Sequence, residues 1–363
     1  MNSLSNTLVS RVIQSIAPVS EPARLRAQRH LDTLTKPLGS LGRLEPLAAQ
    51  IVAIHDGPFN EPMSKGVYIF AADHGVAEEG VSAYPREVTH QMVLNFVSGG
   101  AAINVLARLH NATLTVVDVG VDADFGALPG LVHCKVCRGT KNMLHEAAMT
   151  DEELAAALSV GISMADRAAA AGHAVVAIGE MGIGNTTAAS VITCQLTGST
   201  PELATGLGTG VEPAAYARKL SAVRAAQHKY FDSPISIAST HSALEILRCV
   251  GGLEIAAMTG MILAAAQRKL VVVVDGFISA VAAALAVAME PHVAGYLIAG
   301  HCSKEPGHKL LLNFLGLTPV LDLGMRLGEG TGAVLAFSVL ESAIRLYTEM
   351  ATFASAQVSE ASQ

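Results

Sequence analysis

The sequence predicts an α/β protein built on a doubly wound, mainly parallel six-stranded sheet, on three observations. Short β-branched runs recur along the chain, a glycine-rich turn follows each, and a helix follows the turn. The runs are apolar on both faces rather than alternating, as expected for parallel strands covered by helices on each side. Strands and helices that alternate through mostly short connections wind into an open sheet.

The first sixty residues read as helical. One helix spans 21–34, with Leu25, Leu31 and Leu34 on one face, and stops before Lys36 and Pro37; a second spans 45–55. Strands are expected at 67–70, 114–119, 174–178, 270–274, 296–299 and 319–323. Thr150-Asp-Glu-Glu153 is a capping box opening an Ala-rich helix that runs to Ala171 and closes on Gly172. Further helices are expected at 185–196, 255–267, 277–289 and 330–350. Residues 1–65 and 333–363 then form a smaller helical subdomain beside a large α/β domain at 66–332, with a frayed polar tail from 355 onward.

Composition narrows the function classes. Of 363 residues, 51% are apolar and 15% charged, which suits a large packed core and not a disordered chain. With 24 basic and 31 acidic residues the formal charge is −7, and no basic run offers the clustered cations that nucleic-acid binding needs. Glu254, Arg268, Lys269, Asp275 and Glu290 interrupt the long apolar stretches, so none is expected to reach the roughly 20 residues of a membrane span. The start, MNSLSNTLVSRVIQS, lacks the basic-then-apolar pattern of a secretory signal. Five cysteines in a long chain suit reduced thiols. A cytoplasmic protein is expected.

In an open parallel sheet, ligands bind beyond the carboxyl ends of the strands. Four expected strand ends are dense in glycine and polar residues: 72–76, 179–187, 300–306 and 324–332. The segment Gly179-Glu-Met-Gly-Ile-Gly-Asn-Thr-Thr187 leaves a strand and enters a helix, so its backbone N–H groups suit a phosphate. It matches neither the P-loop nor the dinucleotide spacing, which points to a monophosphate. It fits equally well a tight strand-to-helix turn with Asn185 as N-cap. A second glycine-rich stretch, 206–210, precedes the helix bearing Lys219, a cation for the same anion. Glu329 lies between glycines at the start of the last helix. It is either a general base whose pKa burial would raise or an acid complementing the helix dipole, and sequence statistics favour the second. Glu180 reads as a site acid or a solvated loop carboxylate.

Other chemistries fit less well. Asp73, His74, His301, Cys302 and His308 match no compact metal pattern, and Cys134 and Cys137 form a single pair, so no metal is expected. Asp73 and His74 are expected to hold their loop by hydrogen bonds. No Gly-x-Ser-x-Gly elbow occurs. The run Val271-Val-Val-Val-Asp275 ends in Gly276 and Phe277, without the second acid and phosphate loop of a pyrophosphate-donor site.

Seven segments, in order from residue 36 to 332, resemble the nicotinate-nucleotide–dimethylbenzimidazole phosphoribosyltransferase family of cobalamin lower-ligand synthesis. They are Lys36-Pro-Leu-Gly-Ser-Leu-Gly-Arg-Leu-Glu45, Ala72-Asp-His-Gly-Val76, Ser82-Ala-Tyr-Pro85, 179–187, 206–210, His301-Cys-Ser-Lys-Glu305 and Leu327-Gly-Glu-Gly-Thr-Gly332. The resemblance implies transfer of a 5-phosphoribosyl group from nicotinate mononucleotide to a benzimidazole nitrogen, without a cofactor. It implies Glu329 as the base that takes the benzimidazole N–H proton, with Ser82, Tyr84, Gln91 and Leu327 near the acceptor base. Around the nucleotide's phosphate and ribose it implies Glu180, Gly182, Gly184, Asn185, Thr186, Gly208, Lys219 and Ser303. It further implies a parallel six-stranded sheet, a small helical domain and a homodimer. A transferase for a phenol or purine acceptor, and a non-catalytic nucleotide-binding regulator, are the alternative readings; a sensor has no evident need of the Glu329 carboxylate.

Overall fold

The computed structural model describes residues 8–57, 63–206, 212–231 and 240–359. Six parallel strands form one sheet: β1 (Lys65–Ala72), β2 (Thr113–Gly120), β3 (Leu131–His133), β4 (Val175–Met181), β5 (Val271–Val274) and β6 (Leu297–Ala299). Their order is β3-β2-β1-β4-β5-β6. The chain winds outward from β1 in one direction and from β4 in the other, so β1 and β4 flank the topological switch point. All eight residues of β1 are buried, as both-face coverage by helices requires.

The helices, in chain order, begin with α1 (Leu8–Gln14), α2 (Glu21–Thr33), α3 (Leu44–His55), α4 (Glu87–Ser98) and α5 (Ala102–Leu109). Then come α6 (Asp151–Ala170), α7 (Asn185–Thr197), α8 (Pro201–Ala204), α9 (Pro213–Tyr230) and α10 (Thr240–Val250). The last are α11 (Leu253–Gln267), α12 (Phe277–Met289), α13 (Pro306–Leu315), α14 (Thr331–Glu349) and α15 (Phe353–Ala356). The capping box of α6 is present: Glu153 N–H donates to Thr150 Oγ1 at 3.1 Å, and Thr150 N–H to Glu153 Oε2 at 2.9 Å. α3 packs on α2 and α14, which brings the two ends of the chain together. One apolar cluster runs from Val9 to Ile344 across these helices and the sheet.

Two strand assignments need correction. Residues 319–323 form no strand; only a parallel bridge joins Leu321 to His301, beside the bond from Val320 N–H to Ala299 O at 2.8 Å. Pro319 has no N–H to give, and Gly324 turns the chain at φ 65°, so the run is too short to extend the ladder. The sixth strand is instead β3, three residues at the opposite edge. Its brevity, just after Pro129 and Gly130, hid it from pattern reading.

The apolar stretch 87–109 also passes, by length and composition, as a possible membrane span, although the sequence reading found none. In the fold it breaks between α4 and α5, near Gly99 (φ 82°), and Val93, Phe96, Ile103 and Ala107 are buried in the core.

Candidate active site

A cavity of about 750 Å³ opens beyond the carboxyl ends of β4, β5 and β6. Its volume lies within the range of small-molecule sites. The wall has three parts. Glu180, Met181, Gly182, Ile183, Asn185 and Thr186 carry β4 into α7; Asp275 to Ser279 carry β5 into α12. His301, Ser303 and Glu305 follow β6, and Met325 to Glu329 lead into α14. Tyr84, Val88 and Met92 close it on an apolar side.

The β4–α7 turn is held by close backbone approach. A Cβ on Gly182 would lie 2.5 Å from the Ala72 carbonyl oxygen, and one on Gly179 would lie 2.5 Å from the Glu329 carbonyl carbon. Glycine at both points lets the ends of β1, β4 and the 325–329 segment meet. Gly184 is the N-cap of α7, at φ 96°, so Asn185 is the first helical residue and not the cap. The Asn185 side-chain amide instead donates to Glu180 Oε2. The first turn of α7 opens on the cavity at Asn185 and Thr186, where the positive end of the helix dipole attracts an anion.

Glu329 is 7% exposed and adopts φ 62°, between Gly328 at 83° and Gly330 at 84°. A non-glycine residue in this conformation stores about 1–3 kcal/mol of strain, which surrounding structure must hold in place. Among the described residues its Oε2 has no hydrogen-bond partner. Burial first, and the charge of Asp275 second, push its pKa up to about 7. Glu180, partly buried, is pushed up to about 8 by burial and by Glu254, with Asp275 and Glu329 adding and the Asn185 bond opposing. At neutral pH this cluster thus holds Glu180 mainly protonated and Glu329 near its midpoint.

Asp275 is 2% exposed, and its oxygens accept from Gly330 N–H at 3.1 Å and Ala333 N–H at 2.9 Å. His301 Nε2 stands 3.7 Å from Asp275 Oδ1. His308 Nδ1 accepts from Ser303 N–H at 2.9 Å, while burial and His301 push its pKa down to about 3, which keeps it neutral. Behind the site, His74 Nε2 meets Glu254 Oε1 at 2.6 Å, and Asp73 Oδ2 accepts from Asp122 N–H at 2.8 Å. Asp73 and His74 therefore act as loop-holding residues, and no metal-binding group of three or more His, Cys, Asp or Glu occurs among the described residues.

The structure brings together Glu329, Glu180, Gly182, Asn185, Thr186, Ser303, Tyr84 and Leu327 around one cavity. It separates others. Gly184 lies behind the wall as the α7 cap, and Ser82 stands off the cavity, where its Oγ accepts from Tyr84 N–H at 3.2 Å. Gln91 is exposed on α4 and does not line the cavity. Lys219 is 1% exposed, donates to Gly206 O at 3.0 Å, and also lies off the wall; burial pushes its pKa down to about 8. Gly208 lies outside the described residues.

Sequence reasoning gave no site role to Val88 and Met92, although their i, i+4 spacing after Tyr84 marks a single apolar helix face. Asp275 likewise carries no sequence signal of its role, since the run it ends lacks the second acid and phosphate loop of a pyrophosphate-donor site. The 72–76 turn, expected at the rim, instead backs the Gly182 turn, and the β5–α12 turn takes its place on the wall.

A doubly wound sheet, a cleft at its carboxyl edge, a helix entrance open to an anion and a buried carboxylate poised near neutrality define an α/β small-molecule-binding protein equipped for proton transfer. The chain belongs to the nicotinate-nucleotide–dimethylbenzimidazole phosphoribosyltransferase family. A phosphoribosyltransferase family model matches residues 16–358. A nicotinate-nucleotide–dimethylbenzimidazole phosphoribosyltransferase from Geobacter sulfurreducens is 48% identical over 354 residues, covering 98% of this chain and 99% of that protein. One of the same name from Chloroflexus aurantiacus is 47% identical over 353 residues, covering 97% and 99%. The crystal structure of CobT from Thermus thermophilus superposes with a TM-score of 0.88 at 44% identity, covering 94% of this chain and 100% of that one.

Proposed function

We infer that the protein transfers the 5-phosphoribosyl group of nicotinate mononucleotide to 5,6-dimethylbenzimidazole, forming α-ribazole 5′-phosphate and nicotinate in cobalamin nucleotide-loop assembly. The observation that carries the reading is the carboxylate of Glu329, buried at the cavity wall with Oε2 unpaired among the described residues and a pKa near 7. The family relationship supplies the two substrates.

The chemistry follows from the substrates. The bond from the anomeric carbon to the pyridinium nitrogen breaks, its electron pair neutralises that nitrogen, and nicotinate departs. Positive charge gathers on the ribose, as in other glycosyl transfers. The unprotonated nitrogen of the benzimidazole attacks the opposite face, so the β-linkage becomes α. The N–H across the imidazole ring then loses its proton to Glu329, which balances the charge. The buried carboxylates also favour the cationic sugar electrostatically. The apolar face of Tyr84, Val88, Met92 and Leu327 suits the flat acceptor, and the α7 entrance at Asn185 and Thr186 suits the phosphate. Ser82 would act through the Tyr84 turn it holds, and Lys219 through Gly206, not by direct contact.

A cytoplasmic homodimer is part of this proposal. Five free thiols support a reducing compartment, and the homodimer is what the family resemblance implies. The activity is tested by incubating the protein with nicotinate mononucleotide and a panel of benzimidazoles, purines and phenols. Nicotinate released in equal amount to an α-linked benzimidazole product is the expected result. Release with none of the acceptors would favour the regulator reading instead.

A further inference from the structure

We propose that Asp275 is the positioning residue for the base, its carboxylate clamping the entrance of α14 and so holding Glu329 in the cavity. The proposal rests on the transfer reading above for its kinetic arm. A helix usually finds its cap in its own N-cap side chain. The N-cap of α14 is Gly330, which has none. The acceptors come instead from the end of β5: Asp275 Oδ2 takes the Gly330 N–H and Oδ1 the Ala333 N–H. Glu329 immediately precedes this clamp, in a run of three left-handed residues, 328 to 330, that belongs to neither strand nor helix. Its place in the cavity therefore depends on where Gly330 is anchored.

Asp275 also acts by charge. The groups facing it are His301 after β6, Glu180 at the end of β4, and Glu329. Burial raises its pKa, while His301 and the backbone N–H groups of 330, 332 and 333 oppose that rise. The hydrogen bonds from these N–H groups go to the carboxylate and favour its ionised form against burial. In its ionised form Asp275 raises the pKa of Glu329 and so makes it a stronger base.

The test compares Asp275→Asn and Asp275→Glu with the parent. Asparagine keeps one acceptor, presents an amide donor to the second N–H, and removes the charge. For Asp275→Asn, kcat should fall about tenfold or more, the KM for nicotinate mononucleotide should move less than about threefold, and the acid limb of kcat/KM should shift about one unit lower. Substrate ionisation is common to both profiles, so it cancels in the comparison. Asp275→Glu keeps the charge on a longer arm, so its limb should stay with the parent while kcat falls. Parent kcat and limb in Asp275→Asn would overturn the proposal, as would a loss confined to KM, which would make Asp275 a substrate contact. If Asp275→Asn does not fold, parent kcat in Asp275→Glu overturns it. If the parent itself shows no turnover, the transfer reading fails separately. A carboxylate NMR titration of Glu329 in Asp275→Asn then decides, and a midpoint unchanged from the parent would sink the proposal.

Discussion

Glu329→Gln should lower kcat by about 10²–10⁴-fold, the range expected when a general base is removed, and leave the KM for nicotinate mononucleotide nearly unchanged. The substitution preserves shape. Among the described residues Oε2 has no partner, so the amide breaks no hydrogen bond at that atom and the thermal midpoint should stay within about 2 °C of the parent. The pH profile supplies the second half of the result. A base works in its ionised form, and burial with Asp275 holds this one at about 7. Activity should therefore rise with pH through about 7 in the parent, and this limb should vanish in Glu329→Gln. A variant that turned over at the parent rate, or kept the limb, would move the base elsewhere; Glu180, at about 8, would be the next group to substitute.

Gly179→Ala should be the most damaging single methyl group in the site. A Cβ there would lie 2.5 Å from the Glu329 carbonyl carbon, 2.6 Å from its oxygen and 2.6 Å from the Gly330 nitrogen. These are backbone atoms of a segment already held in an uncommon conformation, so no side-chain rotation relieves the clash. Overpacking of this kind costs about 1–3 kcal/mol, enough to lower the thermal midpoint by several degrees. The effect on rate should be larger than that stability loss suggests. A base displaced by about 1 Å loses about a hundredfold in rate. Activity and the thermal midpoint, measured together on the purified variant, check both parts. A variant with parent activity would mean that the β4 end and the Glu329 segment are not coupled.

Much of this architecture was readable in the residues. Apolar runs such as Val271 to Val274 have no polar face, which marked them as interior parallel strands, and the Thr150–Glu153 box fixed the start of α6. The two missed assignments share a physical cause. β3 is three residues long and held at the edge by pairing with β2, which is a tertiary fact. The run 319–323 has the composition of a strand but loses one N–H to Pro319 and its end to Gly324. Within the site, glycine density at strand ends located the cavity because glycine is needed wherever backbones meet. The carboxylate pairing was not legible. That Asp275 caps a helix starting 56 residues later, at Thr331, follows only from the order of β5 beside β4 and the return of the chain across their ends.

The central claim is that one cavity holds the sugar phosphate and the acceptor base together, with Glu329 directed at the base. A crystal structure with α-ribazole 5′-phosphate tests it most directly. The account predicts the phosphate at the entrance of α7, near Asn185 and Thr186. It predicts the benzimidazole against Tyr84, Met92 and Leu327, with the Glu329 carboxyl within hydrogen-bond distance of the ring nitrogen not bound to ribose. A ligand lodged outside this cavity, or Glu329 turned away from that nitrogen toward solvent, would contradict it.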